Sequence, residues 1–152
     1  MTKEQTMNPN YVTEVAEWTK DNSDLINMLR PKLLAMGGDS VSPQPDQFIS
    51  LIVKDGRIFE DMPIKLRKGE QNGCHRNVAR LWTQRRARTQ IVGIGTGYGL
   101  SDDNMWRPHS WLVGIAKGQP YVIETTVPRE AYFGVSFNSK GSDLFANAAL
   151  AA

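Results

Sequence analysis

The segment from residue 109 to residue 126 constrains the fold of this chain more than any other. It contains two strand-like apolar runs, 109–116 and 120–126, separated only by Lys117, Gly118 and Gln119. A connection this short is typical of a β-hairpin. In an antiparallel hairpin the start of the first strand lies beside the end of the second. We therefore expect His109 to lie close to Glu124, although the two are distant in sequence.

The chain's only cysteine opens a helical pattern. After Cys74 the apolar residues Val78, Ala79, Leu81 and Trp82 recur at helical spacing. A thiol at the start of a helix lies at the positive end of the helix dipole. That position and a neighbouring imidazolium are two features that lower the pKa of a cysteine from about 8.5. The sequence thus predicts an activated thiol.

Thiol, imidazole and carboxylate follow one another along the chain as Cys74, His109 and Glu124. The pattern indicates a nucleophile, its general base and the acid that orients the base. Backbone N–H groups at the helix start would stabilise an oxyanion, and Gly73 in the preceding loop is a further candidate. We expect no cofactor and no metal, because these ligand spacings do not suit a zinc site.

Four further residues are candidates for substrate contact. His75 adjoins Cys74 on the same helix, so its side chain faces elsewhere and is a poor choice for the base. The glycine-rich run 95–99, which carries Tyr98, is predicted to be a flexible loop bordering the cleft. Trp106 lies in the same long connection, residues 97–108, and Trp111 shares a strand face with His109. Positions in the core or the cleft wall remain an alternative for Trp106 and Trp111, as for Trp82.

The remaining patterns predict two N-terminal helices, the second kinked or interrupted at Pro31 and ended by Gly37-Gly38. The β-rich run 48–53 is predicted to be a strand that turns at 54–57 and returns at 58–59. Residues 64–73 are predicted to be loop, 89–96 a strand, and the tail after residue 143 a short helix. This order indicates an α+β fold, with N-terminal helices and a nucleophile helix packed on an antiparallel meander.

These motifs resemble the transglutaminase-like branch of the papain-like fold. That branch typically shows a cysteine at a helix start, a His-Ala-Trp strand and an apolar strand ending Asp-Pro-Thr. Here the corresponding residues are Cys74, His109-Ser110-Trp111 and Glu124-Thr125-Thr126, and the resemblance covers residues 70–127. It departs from the pattern in its glutamate, one methylene longer than aspartate, and in having Trp82 further from the cysteine. The resemblance also implies an oxyanion-hole role for Gln71, which lies closer to the cysteine than the corresponding glutamine of papain-like peptidases.

The resemblance implies a papain-like domain whose triad attacks an amide through a thioester. The substrate would be a protein or peptide, with peptidase, deamidase and transglutaminase activities all open. A non-catalytic binding module on the same fold is the alternative. A nucleic-acid binder is a further one, using the arginines at positions 76, 80, 85, 86 and 88.

Composition narrows the possible partners and location of the protein. Eighteen basic and sixteen acidic residues give a net charge of +2, too small to require a polyanionic partner. No apolar run is long enough for a membrane span, and no secretory signal opens the chain. We expect a single cytoplasmic domain over residues 1–152, with 1–10 disordered. Non-classical export as an effector is an alternative to a cytoplasmic location, and the oligomeric state is open.

Overall fold

A computed structural model of the chain describes residues 9–42, 47–85 and 90–151. Of residues 1–10, expected to be disordered, the first eight lie outside these ranges, as do the arginines at 86 and 88. Pro9 and Asn10 instead begin a helix. Within the described ranges, five helices and seven strands form a mixed α/β structure, as predicted in outline. None of the described helices combines the length and the apolar character that a membrane span requires.

The helices are α1 (Pro9–Asp21), α2 (Ser23–Met36), α3 (Ile49–Asp55), α4 (Cys74–Gln84) and α5 (Ser139–Ala151). The strands are β1 (Ser40–Val41), β2 (Arg57–Ile58), β3 (Ile64–Leu66), β4 (Ile91–Leu100), β5 (Met105–Ala116), β6 (Gln119–Glu124) and β7 (Ala131–Ser136). They form one sheet in the order β2-β7-β4-β5-β6-β3, with β1 beside β5. Neighbours are antiparallel except for the β1–β5 and β3–β6 pairs, which are parallel.

The predicted hairpin is confirmed. Strands β5 and β6 pair antiparallel, from Ala116 opposite Gln119 to Leu112 opposite Ile123. Lys117 and Gly118 form the turn with positive φ angles of 52° and 77°. The helix predicted to begin at Cys74 is confirmed as α4.

An unpaired stretch of β5 determines where α4 can approach the sheet. On one edge, β5 pairs with β4 throughout. On the other edge, β6 pairs with β5 no further than Leu112, and β1 pairs only with Met105 and Trp106. Backbone groups between these two contacts are therefore open to the start of α4, and this stretch includes His109 and Ser110.

The two faces of the sheet have different neighbours. Helices α2 and α3 pack against the end of the sheet that holds Tyr98 and Trp106, and α4 and α5 pack near Ile94 and Leu112. The opposite face carries a smaller buried cluster of Trp111, Val113, Val122 and Tyr132, with Phe59 and Met62 packed against it. Because side chains alternate along a strand, His109 and Trp111 lie on this second face, away from the helices.

The prediction of a strand at residues 48–53 is wrong, because this run forms α3. Ile49, Ile52 and Val53 are buried at helical spacing against α2 and β7. A short run of apolar residues satisfies helical and strand periods alike, so packing decides between them. The predicted return strand at residues 58–59 is confirmed in part as β2, but its antiparallel partner is β7, an element that was not predicted.

Three other sequence predictions are corrected. The connection 97–108 is mostly strand: β4 continues to Leu100, and the turn to β5 occupies only residues 101–104. Part of the expected loop 64–73 forms β3, which pairs with β6. Pro31 does not interrupt α2, which runs unbroken to Met36 and ends, as predicted, at Gly37.

Candidate active site

Cys74 is the first residue of α4 and lies at the open edge of β5, half-buried. The first N–H groups of a helix have no intrahelical partner, so those around Cys74 are available to an anion. Asn77 holds this helix start in place. Its buried side-chain amide accepts the Glu70 N–H at 3.1 Å and donates to the Glu70 carbonyl at 2.8 Å. The loop that leads to the thiol is thereby tied to α4.

Two groups on β5 act on the thiol. These are the ring of His109 and the backbone N–H of Ser110. Burial raises the pKa of the Cys74 thiol, but these interactions lower it by more, so the net pKa is below the ordinary value. The structure thus gives Cys74 the thiolate-favouring surroundings that its position suggested.

His109 is buried and is held by Glu124 on the neighbouring strand. The distance from His109 Nε2 to Glu124 Oε1 is 2.7 Å, and both residues are at most 1% exposed. Since Nε2 is occupied, Nδ1 is the ring nitrogen left for the thiol. Nδ1 has no hydrogen-bond partner among the described residues, although Cys74 lies near enough to raise the pKa of His109. Such contacts commonly tighten when substrate binds.

The Glu124 carboxylate accepts hydrogen bonds at both oxygens. Besides His109, Oε1 accepts the Tyr132 hydroxyl at 2.8 Å. Oε2 accepts the backbone N–H of Thr126 at 2.9 Å and its hydroxyl at 3.0 Å. The threonine of the Glu-x-Thr pattern therefore fixes the acid. Burial raises the pKa of the Glu124 carboxyl, but these bonds, chiefly that to His109, lower it to about 2.

The charges of the three groups support one another. Burial lowers the pKa of His109, but the contacts with Cys74 and Glu124 raise it above its ordinary value. The imidazolium in turn favours the anionic forms of both partners. Tyr132 remains a protonated donor, because burial and the nearby Glu124 charge raise its pKa. The arrangement matches that of a nucleophile, a base and an orienting acid.

The other predicted site residues lie at varying distances from the triad. Gly73 is the residue before α4, and Gln71 is exposed in the turn preceding it. Trp111 packs beside the His109 ring with centroids 6.0 Å apart. Trp111 is fully buried, so it supports the ring rather than lining an open cleft.

Tyr98 and Trp106 belong to the core, and their predicted place at the cleft border is wrong. Both lie within the cluster formed with α2 and α3, at 2% and 0% exposure. Trp106 Nε1 donates to the Gly37 carbonyl at 2.9 Å. The cause of the error is the strand structure of residues 97–100 and 105–108, which buries side chains expected to be in a loop.

His75 contacts β5 instead of the thiol. Its Nδ1 lies 2.6 Å from the Ser110 hydroxyl, which in turn lies 2.9 Å from the Thr96 hydroxyl. Desolvation and the charge of nearby His109 lower the pKa of His75, which favours the neutral form of its ring. His75 thus fits the prediction that it is not the general base.

Several residues of the site were not predicted: Thr96, Asn77 and Tyr132. Thr96 and Tyr132 bond to Ser110 and Glu124 on other strands, which the sheet order brings near. The partner of Asn77 is Glu70, in the loop just before α4. Among the cations proposed to contact nucleic acid, Arg85 stacks on the Trp82 ring at 3.3 Å, and Arg80 pairs with Glu70 at 3.3 Å.

Comparison with known proteins found no similar one. The chain matches no protein-family model, no curated protein and no solved structure.

Proposed function

We propose that this protein is a cysteine-dependent hydrolase or acyltransferase that acts on an amide, on a papain-like fold of the transglutaminase-like kind. The observation that carries the proposal is the buried 2.7 Å bond between His109 and Glu124, with the second imidazole nitrogen left for Cys74 at a helix start. A lone cysteine in a core would need no such partners. We place the enzyme in the cytoplasm, where a single thiol stays reduced.

The chemistry proceeds in two stages. The Cys74 thiolate attacks the amide carbonyl carbon, and the oxyanion that forms is stabilised by N–H groups at the start of α4. The carbon–nitrogen bond then breaks, and the His109 imidazolium gives its proton to the departing amine. This leaves a thioester on Cys74 and a neutral imidazole.

In the second stage His109 removes a proton from water, or from an amine acceptor, as that nucleophile attacks the thioester carbonyl. The carbon–sulfur bond breaks and the thiolate–imidazolium pair is restored. Throughout, Glu124 stays ionised and holds the ring in one orientation, because four hydrogen bonds stabilise its charged form. Water gives hydrolysis and an amine gives acyl transfer.

Acylation by an activated ester tests this function. The protein is mixed with p-nitrophenyl acetate, p-nitrophenol release is followed, and the intact mass is measured. In samples quenched with acid during p-nitrophenol release, we expect one acetyl group on the wild type, removable by neutral hydroxylamine as a thioester should be, and no hydroxylamine-sensitive acetyl group on Cys74→Ala. His109→Ala should acylate at least tenfold more slowly. Equal labelling of Cys74→Ala would contradict the proposal.

A further inference from the structure

An apolar cavity of about 680 Å³ lies on the helical face of the sheet, next to the candidate active site. Cavities of roughly 300–1,000 Å³ are typical of small-molecule and side-chain binding sites. Its wall includes two chain neighbours of the triad, because His75 follows Cys74 and Pro108 precedes His109. The main lining residues are Trp18, Phe48, His75, Pro108, Phe145 and Ala149.

Ser110 connects this cavity to the thiol. Its backbone N–H contacts the Cys74 sulfur, while its side-chain hydroxyl lies 2.6 Å from Nδ1 of His75 in the cavity wall. Ser110 is fully buried and is also bonded to Thr96, so the link is rigid. Ser110 therefore contacts both the reacting sulfur and a residue of the cavity wall.

The wall is aromatic. Phe48 and Phe145 stack with centroids 5.7 Å apart at an interplanar angle of 28°. The His75 ring lies 6.2 Å from Phe145 at 59°. Aromatic rings prefer such offset and tilted neighbours, so a further ring can pack among them. The imidazole of His75 contributes a polar group to the cavity wall, and the exposed Arg76 also lines the cavity.

We propose that this cavity binds an aromatic side chain adjacent to the scissile amide, so that the substrate is an amide of an aromatic residue. The inference rests on the proposed function and narrows it. The lining also holds the polar residues Gln47, Thr96 and Arg76, so a glutamine amide would find hydrogen-bond partners there. An aromatic ring buries more apolar surface against Phe48 and Phe145 than a glutamine side chain does, and the cavity therefore favours an aromatic residue over glutamine.

Binding to the full-length Cys74→Ala variant tests the proposal without turnover. Isothermal titration calorimetry would compare N-acetyl-L-phenylalaninamide with N-acetyl-L-glutaminamide. We expect at least tenfold tighter binding of the phenylalanine compound, because its ring replaces water in a preformed apolar cavity. Equal affinities, or a preference for the glutamine compound, would overturn the assignment.

Variants of α5 locate the binding. Ala149→Phe places a ring in the cavity and should weaken binding of the phenylalanine compound at least tenfold. Asn147→Phe is the matched control, since Asn147 is exposed on the same helix and does not line the cavity, and it should bind as before. If Ala149→Phe does not fold, Ala148→Phe decides, because Ala148 is an exposed residue that also lines the cavity. Binding unaffected by the cavity variants would refute the location.

The two proposals fail separately. Normal acylation of Cys74 together with absent aromatic preference would overturn the cavity assignment alone. Aromatic binding that the cavity variants abolish, in a protein whose thiol cannot be acylated, would support the cavity and overturn the enzyme.

Discussion

Replacing Tyr132 by phenylalanine tests whether Glu124 is held as a buried anion. The Tyr132 hydroxyl donates to Glu124 Oε1 at 2.8 Å and accepts the Arg129 N–H at 3.1 Å. A hydrogen bond to a charged group contributes about 1.5–3 kcal/mol, and the half-buried Arg129 N–H loses its acceptor in addition. The ring stays against Trp111, 5.1 Å away, so packing is unchanged. We expect Tyr132→Phe to lower the free energy of unfolding by about 3 kcal/mol at pH 7, measured by urea denaturation.

The loss should depend on pH with a definite sign. The folded-state pKa of Glu124, about 2, lies below its ordinary value of 4.5. Stability from the carboxylate is therefore complete above pH 4.5 and is lost as the pH falls towards 2. Because Tyr132 stabilises the ionised form, the difference between wild type and Tyr132→Phe should shrink over that interval.

A matched tyrosine provides the control. Tyr121 is also buried, but its hydroxyl donates to a neutral acceptor, the exposed Gln90 side chain, at 3.2 Å. Tyr121→Phe should lower the free energy of unfolding by about 1 kcal/mol or less, without this acid dependence. Equal losses for the two variants, or a Tyr132→Phe loss that does not change between pH 6 and pH 2, would refute the reasoning.

Three further changes have definite expected outcomes. Asn77→Ala should lower the free energy of unfolding by about 2 kcal/mol in urea denaturation, because both backbone groups of Glu70 lose a partner. A loss under about 0.5 kcal/mol would contradict the conclusion that Asn77 ties the preceding loop to α4. Glu124→Gln should raise the pH midpoint of thiol alkylation, because His109 loses its counter-charge and its interactions lower the Cys74 pKa by more than the Glu124 charge raises it. An unmoved midpoint would argue against coupling of Glu124 to the thiol through His109. Gly38→Ala should cost about 2 kcal/mol in thermal unfolding, because Gly38 has φ +72° and an added Cβ would lie 2.8 Å from a Leu100 methyl group; unchanged stability would contradict this.

Local patterns predicted the part of the fold that holds the triad. The helix opening at Cys74 and the hairpin joining 109–116 to 120–126 each depend on periodicity and turn residues close in sequence. Their combination places His109 beside Glu124. The role of Thr126 could have been predicted in the same way, because the Glu-x-Thr spacing allows its side chain to donate a hydrogen bond to the carboxylate.

Tertiary packing determined the secondary-structure elements and contacts that the sequence patterns did not predict. The run 48–53 became a helix because burying Ile49, Ile52 and Val53 against α2 and β7 outweighs strand propensity. The glycines at 95, 97 and 99 suggested a loop, but in β4 they admit close neighbours, including the Trp111 ring over Gly95. Tyr132 reaches Glu124 only because β7 joins the sheet beside β4.

The rate of iodoacetamide alkylation against pH, in the wild type and in His109→Ala, tests the thiolate–imidazolium pair most directly. The single cysteine makes the signal unambiguous. We predict that the wild-type rate reaches its plateau well below pH 8 and that His109→Ala moves the midpoint upward, because the imidazolium stabilises the thiolate. An inert thiol, or one that titrates near pH ~8.5 in both proteins, would contradict a catalytic Cys74.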